Sequence, residues 1–288
     1  MKFTIALAQI DNVLGDVAQN VKKHVECINR AKEGGADLVV FPELSLCGYS
    51  IKDMNWDVAV HPSRPSVLDP ILKQSDDISI LLGTVEETSD YALCNSAFFI
   101  EKGRVETVHR KVYPPTYGMF EEMRYFTPGS TIRAFDSRVG RIGVLICEDL
   151  WHLSLPYILA EDGAQIIIGI AASPTRLAGA EERIGNAQVN TEHHRSYARL
   201  LSSYVVFCNR VGVEDGVNFW GGSEVIGPDG EVAVQAKLFE EDLVFAEIDG
   251  NEVRRARRFS RHFLDDNLRL TVAELAKILR ERAKGERK

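Results

Sequence analysis

The sequence predicts an α/β protein built from stacked sheets and helices. Three observations point that way. Apolar, β-branched runs of strand length recur along the chain, and helical repeats lie between them. A strand–helix–strand pattern also appears in each half, with no linker, low-complexity tract or short-period repeat. The expectation is two similar layers of sheet and helix rather than two separate domains.

The elements follow in order. Phe3, Ile5 and Leu7 alternate with Thr4, Ala6 and Ala8, giving a first strand that ends near Gln9. Asp16 and Gln19 form a capping box for a helix with Val21, Val25, Ile28 and Ala31 on its buried stripe, ended by Gly34-Gly35. Residues 37–41 read as a second buried strand, stopped by Pro42, with Glu43 immediately beyond. A weaker helix is expected over 66–74, strands over 78–83, 97–100 and 105–109, and a turn at Glu101-Lys102-Gly103.

Residues 112–130 hold Pro114, Pro115, Gly118, Pro128 and Gly129 among several aromatics, which is loop chemistry. A loop this long inside a compact domain is usually functional or disordered, and the aromatics favour a packed, functional one. A strand over 142–146, a helix over 155–162 and a strand over 165–170 follow, the last running into Ala171-Ala172-Ser173-Pro174. A long helix spans 180–202 and a strand 204–208. Hairpins take over from Gly221, with a turn at Pro228-Asp229-Gly230. Thr271, with Glu274 at the capping-box offset, is expected to start a C-terminal helix carrying Val272, Leu275 and Leu279. The expected main domain covers 1–250, and 251–288 form a tail and helix that belong to it or meet another subunit.

Composition narrows the function. The 288 residues are 45% hydrophobic and 26% charged, enough for a sizeable core, and the net charge of −8 gives no reason to expect nucleic acid or an anionic membrane. The basic run Arg254-Arg255-Ala256-Arg257-Arg258, with Arg261, reads as pairing with carboxylates at a surface or subunit contact. Five scattered cysteines without C-x-x-C spacing argue against a disulfide framework or zinc site and for a reducing compartment. With no secretory leader and no membrane-length apolar stretch, the expectation is a soluble, cytoplasmic protein. The seven His residues, His193-His194 included, show no ligand spacing.

Cys147 is the residue to explain. A cysteine in an apolar run is most often simply buried. This one ends a strand and enters a turn toward a helix, followed at once by Glu148 and Asp149, where open α/β sheets place reactive groups. A thiol nucleophile needs a proton acceptor and a positive group for the oxyanion it creates. Glu43 and Lys111 sit at comparable strand-to-loop junctions, although a residue of either type there is, taken singly, usually solvated.

Phe41-Pro42-Glu43-Leu44 with Gly48-Tyr49, Arg110-Lys111-Val112-Tyr113-Pro114, and Gly143 through Cys147-Glu148-Asp149-Leu150-Trp151 resemble, in order, the three signature segments of the nitrilase (carbon–nitrogen hydrolase) superfamily. The resemblance runs from about Thr4 to Glu247. It implies a four-layer α-β-β-α sandwich that dimerises through its helices, so a homo-oligomer of two or more copies. It also implies a Glu43–Lys111–Cys147 triad, with Glu122, before Met123-Arg124-Tyr125-Phe126, as a second glutamate of the site. On that reading Glu43 takes the thiol proton, Lys111 and the backbone N–H of Glu148 hold the oxyanion, and Glu122 helps to hold substrate and Lys111. A thioester then forms and water releases the acid. No metal or organic cofactor is needed, and the partner is a small-molecule amide.

The Cys-Glu-Asp-Leu-Trp segment most resembles the glutaminase domain of glutamine-dependent NAD synthetases, and Tyr117, Ala172-Ser173-Pro174 and Gly221-Gly222-Ser223 fit that comparison. By that resemblance Tyr117, Glu148, Ser173 and Arg176 are expected to bind substrate. The sequence departs from the pattern in two ways. It has no Ser-Gly-Gly-x-Asp-Ser ATP-binding segment, so it is not expected to be an NAD synthetase by itself. Gly179 also stands where those glutaminases carry the basic residue for the glutamine α-carboxylate, with Arg176 as a substitute. True nitrilases usually have Trp after the nucleophile, where this chain has Glu148. The expectation is therefore an amidase releasing acid and ammonia. The alternatives are an N-carbamoyl amide hydrolase, a stand-alone glutaminase-like subunit, a nitrilase and a non-catalytic scaffold.

Overall fold

The structure is a computed structural model that describes residues 2–175 and 180–285, without the side chains of 180–186. The first half contributes β1 (Lys2–Gln9), α1 (Val17–Glu33), β2 (Leu38–Val40), α2 (Asn55–Val58), α3 (Asp69–Leu72), β3 (Ser79–Glu87), β4 (Leu93–Glu101) and β5 (Arg104–Arg110). The second half contributes β6 (Phe135–Ser137), β7 (Gly140–Ile146), α4 (Ser154–Glu161), β8 (Ile166–Ala171), β9 (Pro174–Thr175), α5 (Ala180–Leu201) and β10 (Tyr204–Asn209). It continues with β11 (Val211–Glu214), β12 (Val217–Trp220), β13 (Glu224–Ile226), β14 (Val232–Gln235), β15 (Asp242–Asp249), α6 (Gly250–Phe259) and α7 (Leu268–Ala283).

Two six-stranded sheets result, ordered β15-β1-β2-β3-β4-β5 and β14-β13-β10-β8-β7-β6. Each has a parallel centre, β1-β2-β3 in one and β7-β8-β10 in the other, flanked by antiparallel strands. The period-two pattern explains the layering. On β1, Phe3, Ile5 and Leu7 join Leu38, Val40, Ile142, Val144, Ile146, Ile166, Ile168 and Ile170 in a core between the sheets. Ala6 and Ala8 face the other way, against Val21, Ile28 and Ala31 of α1. On the far side, Leu145, Ile167, Val205 and Phe207 meet Leu155 and Leu159 of α4 and Ala198 and Leu201 of α5. The four-layer α-β-β-α sandwich is thus what the alternation demands. Truncating a fully buried isoleucine such as Ile168 to Ala would cost about 2–5 kcal/mol.

α1 begins as expected, with the Asp16 side chain accepting from Gln19 N at 2.9 Å. The C-terminal helix does not. Its cap is Asn267, which accepts from Leu270 N at 3.0 Å, so Thr271 lies inside the first turn. An Asn N-cap serves as well as Ser or Thr, and here it comes earlier in the chain. The stripe Val272, Leu275 and Leu279 is exposed, so its amphipathic pattern is not spent on this chain's core. The helix expected over 66–74 is a 3-10 turn, Ser66–Leu68, running into one turn of α3. The basic run lies on α6, where Val253 packs into the core between the sheets. Among the described residues, no helix is long and apolar enough to cross a membrane.

Candidate active site

Glu43, Lys111, Cys147 and Ser173 each follow the end of a strand, and hydrogen bonds draw those ends together. Glu43 is fully buried. Its Oε1 accepts from Lys111 Nζ at 2.7 Å and from Asn95 Nδ2 at 2.7 Å, and its Oε2 accepts from Ala172 N at 2.7 Å. Lys111, 1% exposed, also donates to Glu122 Oε1 at 2.7 Å, and that oxygen accepts from Tyr49 Oη at 2.6 Å. The ordinary expectation of a solvated strand-end carboxylate and loop lysine therefore fails at both positions. Burial alone would lower the Lys111 pKa. Glu122 and then Glu43 outweigh it and hold the ammonium well above its usual range. Burial, partly offset by Lys111, raises the Glu122 carboxyl.

Close packing sets these positions. Leu44, just after Glu43, sits at φ 48°. The turn presses so tightly on β3 that a Cβ at Gly83 would lie 2.3 Å from Leu44 N and 2.6 Å from the Pro42 carbonyl oxygen. Gly129 serves Lys111 in the same way: its N–H donates to the Lys111 carbonyl at 2.7 Å, and a Cβ there would meet the Arg110 carbonyl oxygen at 2.3 Å. Tyr49 is held by Glu214, which accepts from Tyr49 N at 2.8 Å and is itself paired with the fully buried Arg210.

Cys147 opens a 3-10 helix, Cys147–Trp151, directly after β7. It is half-buried and has φ 47°, a left-handed conformation that costs a residue bearing a Cβ on the order of 1–3 kcal/mol. Asp149 fixes that turn. Its Oδ2 accepts from Ile146 N and His109 Nε2, both at 3.1 Å, and its Oδ1 from Val112 N and Tyr113 N, both at 3.0 Å. One buried carboxylate thus ties the cysteine turn to the backbone just after Lys111 and to the His109 side chain before it. Burial, then the negative charge of Glu43, push the Cys147 thiol well above its usual range, with Lys111 pulling the other way. The resting thiol keeps its proton at neutral pH, so a nucleophilic role requires a base beside it.

Around this cluster, Tyr117 Oη donates to Glu148 Oε2 at 2.7 Å, and burial, reinforced by that bond, pushes the phenol up to about 12. The Ser173 N–H donates to Asn209 Oδ1 at 2.8 Å, and its Oγ accepts from Trp220 Nε1 at 3.1 Å. Arg176 and Gly179 lie outside the described residues. His194 is buried and bonded through Nδ1 to Glu224 Oε1 at 2.7 Å, and His193 packs edge-on to Trp151. Asn95, His109, Asp149, Asn209, Arg210, Glu214 and Trp220 are among the residues around the site to which the sequence assigned no role. Asn95 lies outside the strand expected over 97–100, because β4 begins earlier, at Leu93.

A thiol, a buried ammonium and two carboxylates at the edge of a four-layer sandwich define a class of protein, and the chain belongs to it: the carbon–nitrogen hydrolase family, whose model matches residues 4–258. Within that family it is similar to the glutamine-dependent NAD(+) synthetase of Acinetobacter baylyi, 34% identical over 252 residues, covering 88% of this chain and 45% of that protein. The chain therefore spans less than half the length of that relative. The carbon–nitrogen hydrolase of Helicobacter pylori G27 has the same fold, with a TM-score of 0.86 at 24% identity over 96% of this chain and 99% of that one. So does an amidase of Nesterenkonia sp. AN1, with a TM-score of 0.76 at 22% identity over 94% and 96% of the two chains. That structure is of a mutant of the amidase and shows covalent addition of the acetamide moiety of fluoroacetamide at its active-site cysteine.

Proposed function

We propose that the chain hydrolyses the carbon–nitrogen bond of a small linear amide through a thioester on Cys147, giving an acid and ammonia. The observation that carries this reading is the Lys111 ammonium, buried between Glu43 and Glu122 beside a half-buried thiol. Among the described residues, Glu43 Oε2 accepts one N–H where Oε1 accepts two donors, so Oε2 is the oxygen assigned to take the thiol proton. As the proton leaves, sulfur attacks the amide carbon. Lys111 and the Glu148 N–H stabilise the oxyanion, and the proton passes from Glu43 to the departing amine. Water activated by Glu43 then cleaves the thioester. Glu122 keeps Lys111 charged and in place.

A second reading is a stand-alone glutaminase-like subunit. It draws on the similarity to the glutamine-dependent synthetase and on the Tyr117–Glu148 pair, whose carboxylate suits a substrate α-ammonium. Ammonia release from a panel of glutamine, short aliphatic amides, N-carbamoyl amino acids and nitriles decides between the readings. At least one amide is expected to turn over, and glutamine as the preferred substrate would select the second reading. Turnover of N-carbamoyl amino acids alone would move the assignment to a carbamoyl amide hydrolase, and turnover of nitriles alone would overturn the amidase reading. The assembly proposed is a homo-oligomer. Its support is a groove of about 620 Å³ lined by Leu200, Ala256 and Phe259, with Phe259 94% exposed.

A further inference from the structure

Asn95 lies where β4 passes beneath the two glutamates, and nothing in the three signature segments includes it. Its Nδ2 donates to Glu43 Oε1 at 2.7 Å and to Glu122 Oε2 at 3.4 Å, while its carbonyl oxygen accepts from Lys111 N at 2.9 Å. One residue thus touches the proposed base, the second glutamate and the backbone of the lysine between them. It is 1% exposed, and its Oδ1 is buried without a partner among the described residues. An orphaned buried acceptor costs on the order of 1–3 kcal/mol. A side chain that only filled space opposite Val85 would be better as an apolar residue, like Leu93 and Ala97 two positions to either side. The polar choice is therefore to be explained by what the amide N–H groups do.

From this geometry we infer that Asn95 is a positioning residue for the hydrolysis proposed above: its side-chain amide spans the Glu43 and Glu122 carboxylates and fixes Glu43 for the thiol proton. The physics is direct. Lys111 supplies one positive charge to two buried carboxylates. A neutral donor shared between them favours both ionised forms and adds no charge of its own, which a second lysine would do. Among the described residues, the other groups facing this pair are the Tyr49 hydroxyl on Glu122, the Cys147 thiol and, beyond the thiol, Glu148. None of these supplies a further cation. Removing the amide donor should therefore move the acid limb of Cys147 reactivity to higher pH.

The inference rests on Cys147 and Glu43 acting as nucleophile and base, so the test separates the two. The probe is iodoacetamide. Sulfur displaces iodide, the thiol proton passes to Glu43, and the carbamidomethyl group is located on the Cys147 peptide by mass spectrometry. The other four cysteines are buried and serve as internal controls. The rate of Cys147 alkylation is followed against pH in the full chain and in Glu43→Gln, Asn95→Leu, Asn95→Asp and Asn95→Ser. Glu43→Gln is expected to slow alkylation at least tenfold at neutral pH. Asn95→Leu should move the acid limb up by about one pH unit. Asn95→Asp, which replaces the donor with a third carboxylate, should move it further, and Asn95→Ser, which keeps a hydroxyl donor, less. Asn95→Ser stands in if Asn95→Leu does not fold. A slow Glu43→Gln protein together with an unmoved acid limb in the Asn95 variants would overturn this inference alone. A Glu43→Gln protein alkylated at the normal rate would overturn the base assignment and this inference with it.

Discussion

Lys111 carries its charge where almost no solvent reaches it, so its replacement is felt in stability as well as in chemistry. Lys111→Gln leaves Glu43 and Glu122 buried without their cation, a loss of about 3–5 kcal/mol near neutral pH. The sign of its pH dependence follows. With the lysine gone, one carboxylate has a folded-state pKa above its unfolded value, so the stability it lends is present at low pH and lost as pH rises. The variant should therefore be less destabilised at pH 5 than at pH 8 in thermal melts, and its turnover should fall at least a hundredfold; equal destabilisation at both pH values would contradict the pairing. His24 gives the converse case in the native protein. Burial lowers its pKa to about 4 from 6.5, while Nδ1 bonds the Asn20 carbonyl and Nε2 bonds Ser45 Oγ next to the Glu43 turn. The unfolded chain takes up a proton through pH 6.5 that the folded chain refuses until about pH 4, so stability falls across that window as pH drops, by about 3 kcal/mol. His24→Leu should be less stable at pH 7.5 yet lose less on acidification, which chemical denaturation at both pH values would show.

At the scale of elements, the site depends on how closely strand ends approach one another. Gly83→Ala would press on the Pro42–Leu44 backbone and displace Glu43; it should lower turnover at least tenfold and stability by about 1–3 kcal/mol. Asp149→Asn would replace an acceptor of several N–H groups with a side chain that presents donors to some of them. It should loosen the Cys147 turn, with a loss in kcat larger than any change in KM. Wild-type kinetics in either variant would show that the close approach is not needed. The strands and long helices were legible in sequence because apolar periodicity and burial coincide in them. Boundaries failed where the choice was between neighbouring polar residues, as with Asn267 and Thr271, either of which can cap a helix. Asp149 appeared in sequence only as one of two carboxylates after the cysteine. Its partners His109, Val112 and Tyr113 are about forty positions away, and no local pattern records that distance.

At the scale of the molecule, two stacked sheets bring together side chains from positions 43, 95, 111, 122 and 147, and this convergence exists only once the sandwich has formed. Glu43, Lys111 and Cys147 could be picked out beforehand because each sits in a signature segment; Asn95 sits in none. The helical face should be covered as well. Light scattering is expected to give a dimer or larger assembly, and Leu200→Glu with Phe259→Glu is expected to break it into monomers; a monomeric wild-type chain would contradict the assembly proposed. The central claim, a thioester on Cys147 formed and resolved with Glu43 as base, is tested most directly by intact-protein mass spectrometry of Glu43→Gln and Cys147→Ala chains incubated with the best amide of the panel. An acyl adduct that accumulates on Glu43→Gln, maps to the Cys147 peptide and is absent from Cys147→Ala, which also releases no ammonia, is the predicted result. Ammonia released by Cys147→Ala at the wild-type rate would contradict it.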